Sequence, residues 1–527
     1  MNNDNFMGQI KAQKNNPAFL KMLAILLVSV LLLVAAFLPI IGYSTEEIDG
    51  DKLDCEIDFN VSPLRNVIFF FDSLSDKEYD DLEDSDLYDD MEDIYEDLED
   101  EIDVDGRKIE LTKKGERYLE KLAYLEIRLG LQSEFKVAKA PFLLGALASL
   151  AYIAFAVVLF VLSLKNCLAI LSGKEVDLKK NLMLLCAAPA AVILNYFASS
   201  IATYSMYFDV MGEKKIGVGT VLGLVFSLLA IAALIVWAIF FDKAKLNLKR
   251  LLVRSGILAV AFVALMTLFM PLATVGLEGK FGDRKSKEEV TVVHTAGYFG
   301  NLAASDDEKD SWDKANDEGE FYKDDDNEWI DSYGYLSRIN GYANDEVKEY
   351  RDGENQPNCD TRLTYIFAVD GGYGMFGLLN KIPYLMLLMG MGFGTIMMYQ
   401  FYLLITDEEK TYARTKMISV ASVIAAVLVL GLIIAFVAMT MSDLDYYTGK
   451  GASDNVKVDF DVSVGVGAIL SVLFGLVLAA TNFVPMVSVF ENNISASVEE
   501  DSTGEASEIT SDETVTEEVV EDNNPEE

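Results

Sequence analysis

The chain has 527 residues, 51% of them apolar, and a formal net charge of −40. Its apolar residues lie in long uninterrupted blocks, whereas a soluble protein distributes them at the period of an amphipathic helix or strand. The blocks exclude a set of soluble domains. The strong acidity excludes nucleic acid as a partner, because phosphate binding requires clusters of lysine and arginine.

Eight of these blocks are long enough to cross a bilayer, since a helix needs roughly 20 residues to span the hydrocarbon. They are 22–42, 141–164, 182–204, 217–241, 255–276, 382–405, 417–441 and 464–490. The pattern predicts an all-α polytopic membrane protein with about eight transmembrane helices in the lipid bilayer. The first block is longer than a signal-peptide core and is interpreted as a retained anchor.

Charge predicts the orientation of these spans. Residues 43–140 carry a net charge of −19, residues 277–377 a net charge of −13, and the tail 491–527 has 14 acids and no base. Fifteen lysines and arginines lie before the first span and in the second, fourth and sixth gaps, against four in the short gaps opposite. The positive-inside rule therefore predicts that both termini are cytosolic and both acidic loops are outside. The composition suggests a bacterial cell membrane.

The order of segments repeats along the chain. A first four-helix unit, 22–241, has an acidic outer domain at 43–140 after its first helix, and a second unit, 255–490, has one at 277–377. Residues 1–21 form the cytosolic N-terminus, 242–254 a basic cytosolic linker, and 491–527 a tail too polar to bury a core, predicted to be disordered. GVGTVLGLVFSLLAIA at 217–232 and GVGAILSVLFGLVLAA at 465–480 share seven of sixteen residues, which predicts a parallel tandem duplication.

Both matching segments carry small residues four apart, which share one helix face. The two stripes are Gly219, Gly223 and Ser227, and Gly467, Ser471 and Gly475. Small residues let helix backbones approach closely in lipid. We expect either a seam between the two units about a pseudo-twofold axis, or packing of each stripe within its own unit.

The outer domains are expected to be α+β insertions that pack against each other. In the first, apolar periodicity predicts helices over 76–102 and 115–129. An Asp-Gly turn predicts a hairpin between 101–104 and 107–112. In the second, short strands are predicted near 290–294 and 363–369. Cys55 and Cys359 both lie outside, where a disulfide could join the two domains.

No catalytic, cofactor-binding or metal-ligating residues are assigned. The segment 101–106, EIDVDG, resembles the start of an EF-hand loop but has Glu101 where aspartate is required and Thr112 where glutamate is required. A solvated helix face balanced by the bases at 113–121 is favoured, with loose divalent-cation binding as the alternative. The carboxylates at 46–49 follow a span, as in membrane glycosyltransferases. The single histidine, His294, makes a histidine-based metal site improbable.

The spans carry no ionisable residue near their centres, which argues against an ion-coupled pump. Asn195, Gln400 and Asn482 are the notable polar residues within them, and interhelical hydrogen bonds are the ordinary use of such residues. The basic linker either lies on anionic lipid or reflects the positive-inside bias. Two functions stay open: non-enzymatic partner binding or membrane organisation through paired acidic outer domains, and a permease or export-system subunit. A membrane enzyme facing outside is a third reading.

Overall fold

The computed structural model describes residues 13, 15–48, 51–74, 85–99, 101–105, 108–132, 139–204, 213–240, 248–281, 287–300, 378–406, 413–451 and 456–483. It is mostly helical. Elements of the first half are α1 (Pro17–Ala35), β1 (Ile41–Ile48), β2 (Asp51–Val61), α2 (Pro63–Asp72), α3 (Asp86–Glu99), β3 (Ile102–Asp105), β4 (Lys108–Leu111), α4 (Lys113–Gln132), α5 (Lys139–Leu171), α6 (Lys179–Tyr204), β5 (Glu213–Ile216) and α7 (Val218–Phe240). Elements of the second half are α8 (Leu248–Met266), a 3₁₀ turn (Thr267–Phe269), β6 (Ala273–Phe281), β7 (Lys287–His294), α9 (Ala296–Gly300), α10 (Ile382–Thr406), α11 (Ala413–Gly451), β8 (Val456–Val464) and α12 (Val466–Phe483).

Seven helices are long and apolar enough to cross a membrane, which confirms a multi-pass membrane architecture. They are Pro17–Ala35, Pro141–Leu171, Lys179–Thr203, Val218–Phe240, Leu251–Phe269, Ile382–Thr406 and Thr415–Ala438. The eighth predicted span, 464–490, contains α12, whose described part is shorter than the roughly 20 residues that a span requires. Residues 484–490 and the predicted disordered tail lie outside the described part of the chain.

Two predicted spans end earlier than expected. The first was predicted to reach residue 42 and the fifth residue 276, but α1 ends at Ala35 and the 3₁₀ turn after α8 ends at Phe269. Pro39 and Pro271 follow these ends. Proline has no backbone N–H and disfavours helical conformation in the residue before it, so the chain leaves the helix and enters a strand.

The first sheet has the strand order β3-β4-β2-β1-β5. β1 pairs antiparallel with β2 and with β5, and β4 pairs parallel with β2. The hairpin predicted around the Asp-Gly turn is confirmed as β3 and β4, with Ile102 opposite Leu111. The helices predicted over 76–102 and 115–129 are present as α3 and α4, although residues 75–84 lie outside the described part.

The second sheet has the order β7-β6-β8, with β6 antiparallel to both neighbours. The strand expected near 290–294 is present as β7, and the one near 363–369 lies outside the described residues. The sequence did not predict β5 or β8. β5 precedes α7 and pairs with β1, which follows α1. β8 precedes α12 and pairs with β6, which follows α8. We call this end of the helix bundle the sheet side.

At the sheet side, Gly217 and Gly219 at the start of α7 form hydrogen bonds with the residues that follow α1. The Gly217 N–H donates to the carbonyl of Ile40 (2.8 Å), and the Gly219 N–H donates to the carbonyl of Pro39 (2.7 Å). The Ile40 N–H in turn donates to the Val61 carbonyl at the end of β2 (2.7 Å). These contacts, which we call the glycine clamp, join sheet and spans through backbone atoms.

The second half has the same arrangement. The Gly465 N–H donates to the carbonyl of Leu272 (2.7 Å), and the Gly467 N–H donates to the carbonyl of Pro271 (2.8 Å). The Leu272 N–H donates to the His294 carbonyl at the end of β7 (2.8 Å). Each half therefore has a strand after its first helix, a hairpin partner for that strand, and a third strand leading into its last helix through Gly-Val-Gly.

The two halves meet where α6 packs along α10. A Cβ atom added to Gly394 would lie 2.7 Å from the Cβ of Ala190, and one added to Gly390 would lie 2.7 Å from Cδ2 of Leu194. Glycines four residues apart thus allow the two backbones to approach closely. α6 is the third membrane helix of the first half, whereas α10 is the second membrane helix of the second half. A twofold axis would bring the same helices of both halves into the interface, so this seam is head-to-tail and the predicted pseudo-twofold axis is wrong.

The small-residue stripes of α7 and α12 do not form that seam. The space beside Gly219 is filled by the carbonyl oxygens of Ala35, Leu38 and Pro39, which belong to its own half. Each of the other stripe glycines also faces its own half: Gly223 faces Val192 and Tyr152, Gly467 faces Met270 and Pro271, and Gly475 faces Val423 and Phe393. The alternative expectation, packing of each stripe within its own unit, is therefore the observed one.

Candidate functional site

The strongest chemical asymmetry among the described residues is on helix α3. Ile94 and Leu98 are buried against Leu122 and Leu125 of α4, which agrees with the apolar periods of both segments. The opposite side of α3 is acidic. Its segment DLYDDMEDIYEDLE contains eight carboxylates and neither lysine nor arginine. A solvated acidic face is thus held in place by a small apolar core.

Six carboxylates of α3 are exposed, and we call them the acidic face: Asp89, Asp90, Glu92, Asp93, Glu96 and Asp97. Asp89, Asp93 and Asp97 are spaced four apart, so that like charges are neighbours on the helix surface. Each such pair destabilises a helix by about 0.2–0.5 kcal/mol. Tyr95 is 44% exposed and adds an aromatic ring to the same helix.

No base of α4 forms an ion pair with the acidic face among the described residues, although the charge of Asp90 acts on the Arg128 guanidinium of α4. Among the described residues, Lys114 pairs with Glu101 (3.1 Å) and Arg128 with Asp72 (2.7 Å), and no ion pair involves a carboxylate of the acidic face.

Hydrogen bonds from Thr112 and then from Lys114 lower the pKa of Glu101. This contribution to stability is complete at neutral pH and is lost as pH falls through the lowered pKa of Glu101.

Helix α4 is fastened to α2, which touches the membrane helices. The Arg128 guanidinium donates to Asp72 through Nε (2.7 Å), and Gln132 donates to the same carboxylate (2.7 Å). The Arg65 guanidinium lies over the ring of Tyr124 on α4, with Cζ 4.6 Å from the ring centroid. The acidic face is therefore connected to the spans by a continuous series of contacts.

Buried polar groups connect α2 with the first half of the bundle. Asn66 Nδ2 donates to the hydroxyls of Ser149 (3.1 Å) and Ser199 (2.7 Å), and Ser149 donates to Asn195 Oδ1 (3.3 Å). Asn195 is thus used in an interhelical hydrogen bond, as its position in a span predicted. Gln400 is buried, and among the described residues no donor reaches its Oε1. The Asn482 side chain lies outside the described part.

The other sequence candidates do not come together as a site. Ile102–Asp105 is a strand rather than an EF-hand loop, and the Glu101 carboxylate accepts hydrogen bonds from Thr112 and Lys114. His294 is buried with its ring edge-on to Phe299 and Phe436. Among the described residues, no three His, Cys, Asp or Glu side chains are grouped to hold a metal ion. Loose cation binding therefore stays a prediction.

Two further expectations fall partly outside the described residues. Cys55 lies in β2, but Cys359 is not described, so the disulfide between them stays a prediction. The packing of the two outer domains also stays a prediction, because 301–377 are not described. Glu46 and Glu47 lie in strand β1.

Sequence reasoning missed three residues that hold the assembly together. Arg254, counted with the basic linker, lies inside α8, is buried, and donates to the Leu403 carbonyl near the end of α10 (2.9 Å). Asn66 is the polar link from α2 into the bundle. Gly390 begins a Gly-x-x-x-Gly pattern that was visible in the sequence and is a known signal for helix packing.

These contacts describe a packed membrane bundle with an acidic helix fixed above it. No protein-family model, curated protein or solved structure matches this chain, so its function has to be inferred from the residues described above.

Proposed function

We propose that this chain is a non-enzymatic multi-pass protein of a bacterial cell membrane, and that its acidic face binds a basic protein segment outside the cell. The observation that carries the proposal is the exposed face of α3, where six carboxylates lie without an ion-pair partner among the described residues. A lysine- or arginine-rich segment has the complementary charge.

The energetics of α3 support this proposal. Like charges three and four residues apart reduce the stability of the helix, and the helix has no bases of its own to offset them. A set of charges that lowers the stability of a helix is expected where the same charges are needed for binding. A cationic partner would offset the repulsion, and the concentrated negative potential would accelerate its approach.

The contacts beneath the acidic face also support a binding role. The ion pair of Asp72 with Arg128 and the hydrogen bonds of Asn66 fix the domain relative to the spans. A partner would therefore meet a surface of fixed orientation, which reduces the entropy lost on binding. Asn195 is used in a hydrogen bond within the bundle, which is the ordinary structural use of a polar residue in a span.

The proposed orientation puts the sheet side outside the cell and both termini in the cytosol. In a variant whose four native cysteines are replaced by alanine, Ser85→Cys and Asp325→Cys should react with a membrane-impermeant maleimide in intact cells. Ser507→Cys should react only after the membrane is permeabilised. Labelling of Ser507→Cys alone in intact cells would reverse the orientation.

We also infer that the two halves arose by tandem duplication, each half carrying an acidic insertion after its first helix. Support comes from the Gly-Val-Gly segments at 217–219 and 465–467, whose N–H groups donate to equivalent carbonyls of the same half, at 39–40 and at 271–272. Under this proposal each half contributes an acidic domain to partner binding.

The binding role is tested by Asp89→Asn, Asp93→Asn and Asp97→Asn in one variant. We expect this change to weaken binding of a lysine-rich peptide to the purified protein in nanodiscs by about tenfold at low salt. It should also stabilise the sheet-side domain by about 0.5–1 kcal/mol, because the two like-charge pairs at spacing four, Asp89 with Asp93 and Asp93 with Asp97, are removed. Peptide titration and hydrogen exchange of α3 measure the two effects.

The matched control removes three charges elsewhere, as Glu517→Gln, Glu518→Gln and Glu521→Gln in the tail. Equal loss of peptide binding in both variants would show non-specific attraction and contradict the proposal. A photo-crosslinking amino acid at Tyr95 then tests the site in native membranes. We expect one discrete adduct, lost when the three aspartates are neutralised, and the absence of any adduct would also contradict the proposal.

A further inference from the structure

Helix α2 has an inverted distribution of side chains. Its most exposed side chains are all apolar, namely Leu64 (53% exposed), Phe71 (64%) and the following Leu74 (51%). Its buried side chains include the polar Asn66 and Asp72. A surface helix in water has the opposite arrangement, with apolar residues toward the protein and polar residues toward solvent.

The exposed apolar residues form one continuous face. Leu64, Val67, Ile68, Phe71 and Leu74 follow one another at spacings of three and four, or adjoin within the same turn, so they lie along one side of the helix. Val67 and Ile68 are partly exposed. We call this face the apolar stripe. Contiguous apolar surface of this kind marks contact with a membrane or a partner.

The contacts of Asn66 show where α2 lies along the bundle. Its two hydroxyl partners, Ser149 and Ser199, lie within the candidate spans Pro141–Leu171 and Lys179–Thr203. Ser199 is about one turn, and Ser149 about two turns, from the sheet-side end of its span. Helix α2 therefore lies beside the sheet-side turns of α5 and α6.

The single base of α2 is kept away from the apolar stripe. The Arg65 guanidinium lies over the rings of Tyr124 and Phe59, with Cζ 4.6 Å and 5.5 Å from their centroids. Ser62 caps the first turn by accepting a hydrogen bond from the Arg65 N–H (3.3 Å), and Pro63 occupies the first helical position. The helix thus begins directly after β2, with its polar groups toward the protein.

We propose that α2 is an interfacial helix whose apolar stripe inserts among lipid acyl chains at the sheet side of the membrane. Asn66 of α2 contacts Ser149 of α5, and Leu143 and Leu147, which precede Ser149 in the same candidate span, are exposed apolar residues. A lipid-facing surface of α5 is therefore expected next to the stripe. The proposal is independent of the membrane orientation and of any partner at the acidic face.

The test uses the full chain in nanodiscs, with the four native cysteines replaced by alanine and a polarity-sensitive fluorophore on Phe71→Cys. Leu147→Cys, exposed on a span, is the lipid-facing control, and Glu92→Cys, exposed on the acidic face, is the aqueous control. We expect blue-shifted emission at Phe71 and Leu147, with roughly half of the fluorescence quenched by lipids that carry a nitroxide near the head group. The Glu92 label should show neither effect.

Three outcomes are distinguishable. Quenching at Phe71 comparable to that at Leu147 supports the proposal. Emission at Phe71 like that at Glu92 would place the stripe in water and overturn it. Blue-shifted emission at Phe71 without quenching by lipid nitroxides would mean that protein covers the stripe, which would overturn it as well.

Discussion

Gly217→Ala and Gly465→Ala are each expected to lower the thermal stability of the protein markedly. A Cβ atom on Gly217 would lie 2.4 Å from the carbonyl carbon of Ile40 and 2.4 Å from the carbonyl oxygen of Pro39. On Gly465 it would lie 2.3 Å from the carbonyl oxygen of Pro271. These neighbours are backbone atoms and cannot turn away as a side chain can. We expect a loss of about 3 kcal/mol, at the upper end of overpacking costs, for each variant.

Melting in detergent, followed by the fraction that stays soluble and monodisperse, measures this loss. Gly256→Ala and Gly431→Ala are matched controls, because both glycines are in membrane helices with no atom within 4 Å of an added Cβ. They should melt at or above the parent temperature, since alanine is the better helix former by about 1 kcal/mol. If Gly217→Ala melts like Gly431→Ala, the glycine clamp does not hold α7 to α1.

Gly390→Leu together with Gly394→Leu is expected to separate the two halves. Even the first side-chain carbon at these positions would lie 2.7 Å from Leu194 and from Ala190, and leucine adds three more carbons. Helices in lipid associate through close packing rather than through the hydrophobic effect, so widening this seam removes much of the attraction between α6 and α10.

The measurement uses a protease site inserted between Phe240, the end of α7, and Leu248, the start of α8, two ends that lie on the side opposite the sheets. After cleavage in detergent, we expect the parent halves to purify together and the halves of the double variant to separate. Gly256→Leu with Gly431→Leu is the control and should leave the halves together. Co-purification of the Gly390 and Gly394 variant would contradict the seam.

The same assay separates this seam from the small-residue stripes. Gly223→Leu with Ser471→Leu should lower the melting temperature, because Gly223 faces Val192 and Tyr152, and Ser471 is buried. Those contacts are inside each half, so the cleaved halves of this variant should still purify together.

Local patterns were enough to predict seven of the described membrane helices, the hairpin and the two helices of the first acidic domain. Each depends on a rule that acts within about 20 residues: the apolar length needed for the hydrocarbon, the Asp-Gly turn, and apolar spacings of three and four. The sequence similarity between 217–232 and 465–480 also predicted that these two segments occupy equivalent positions in the two halves. The turns at Pro39 and Pro271 and the strands that follow them were not predicted, because both spans were expected to continue past these prolines.

Tertiary structure alone decided which helix faces which. In lipid every span is apolar on all sides, so hydrophobic periodicity does not identify the partner of a helix. The pattern of Gly390 and Gly394 could not show that these glycines face Leu194 and Ala190 on α6. Strands β5 and β8 form because β1 and β6 offer them unpaired edges about 170 or more residues away in the chain, a non-local cause. For the same reason the sequence shows the acidic face of α3 but not that Asp72, Arg128 and Asn66 fix it to the membrane.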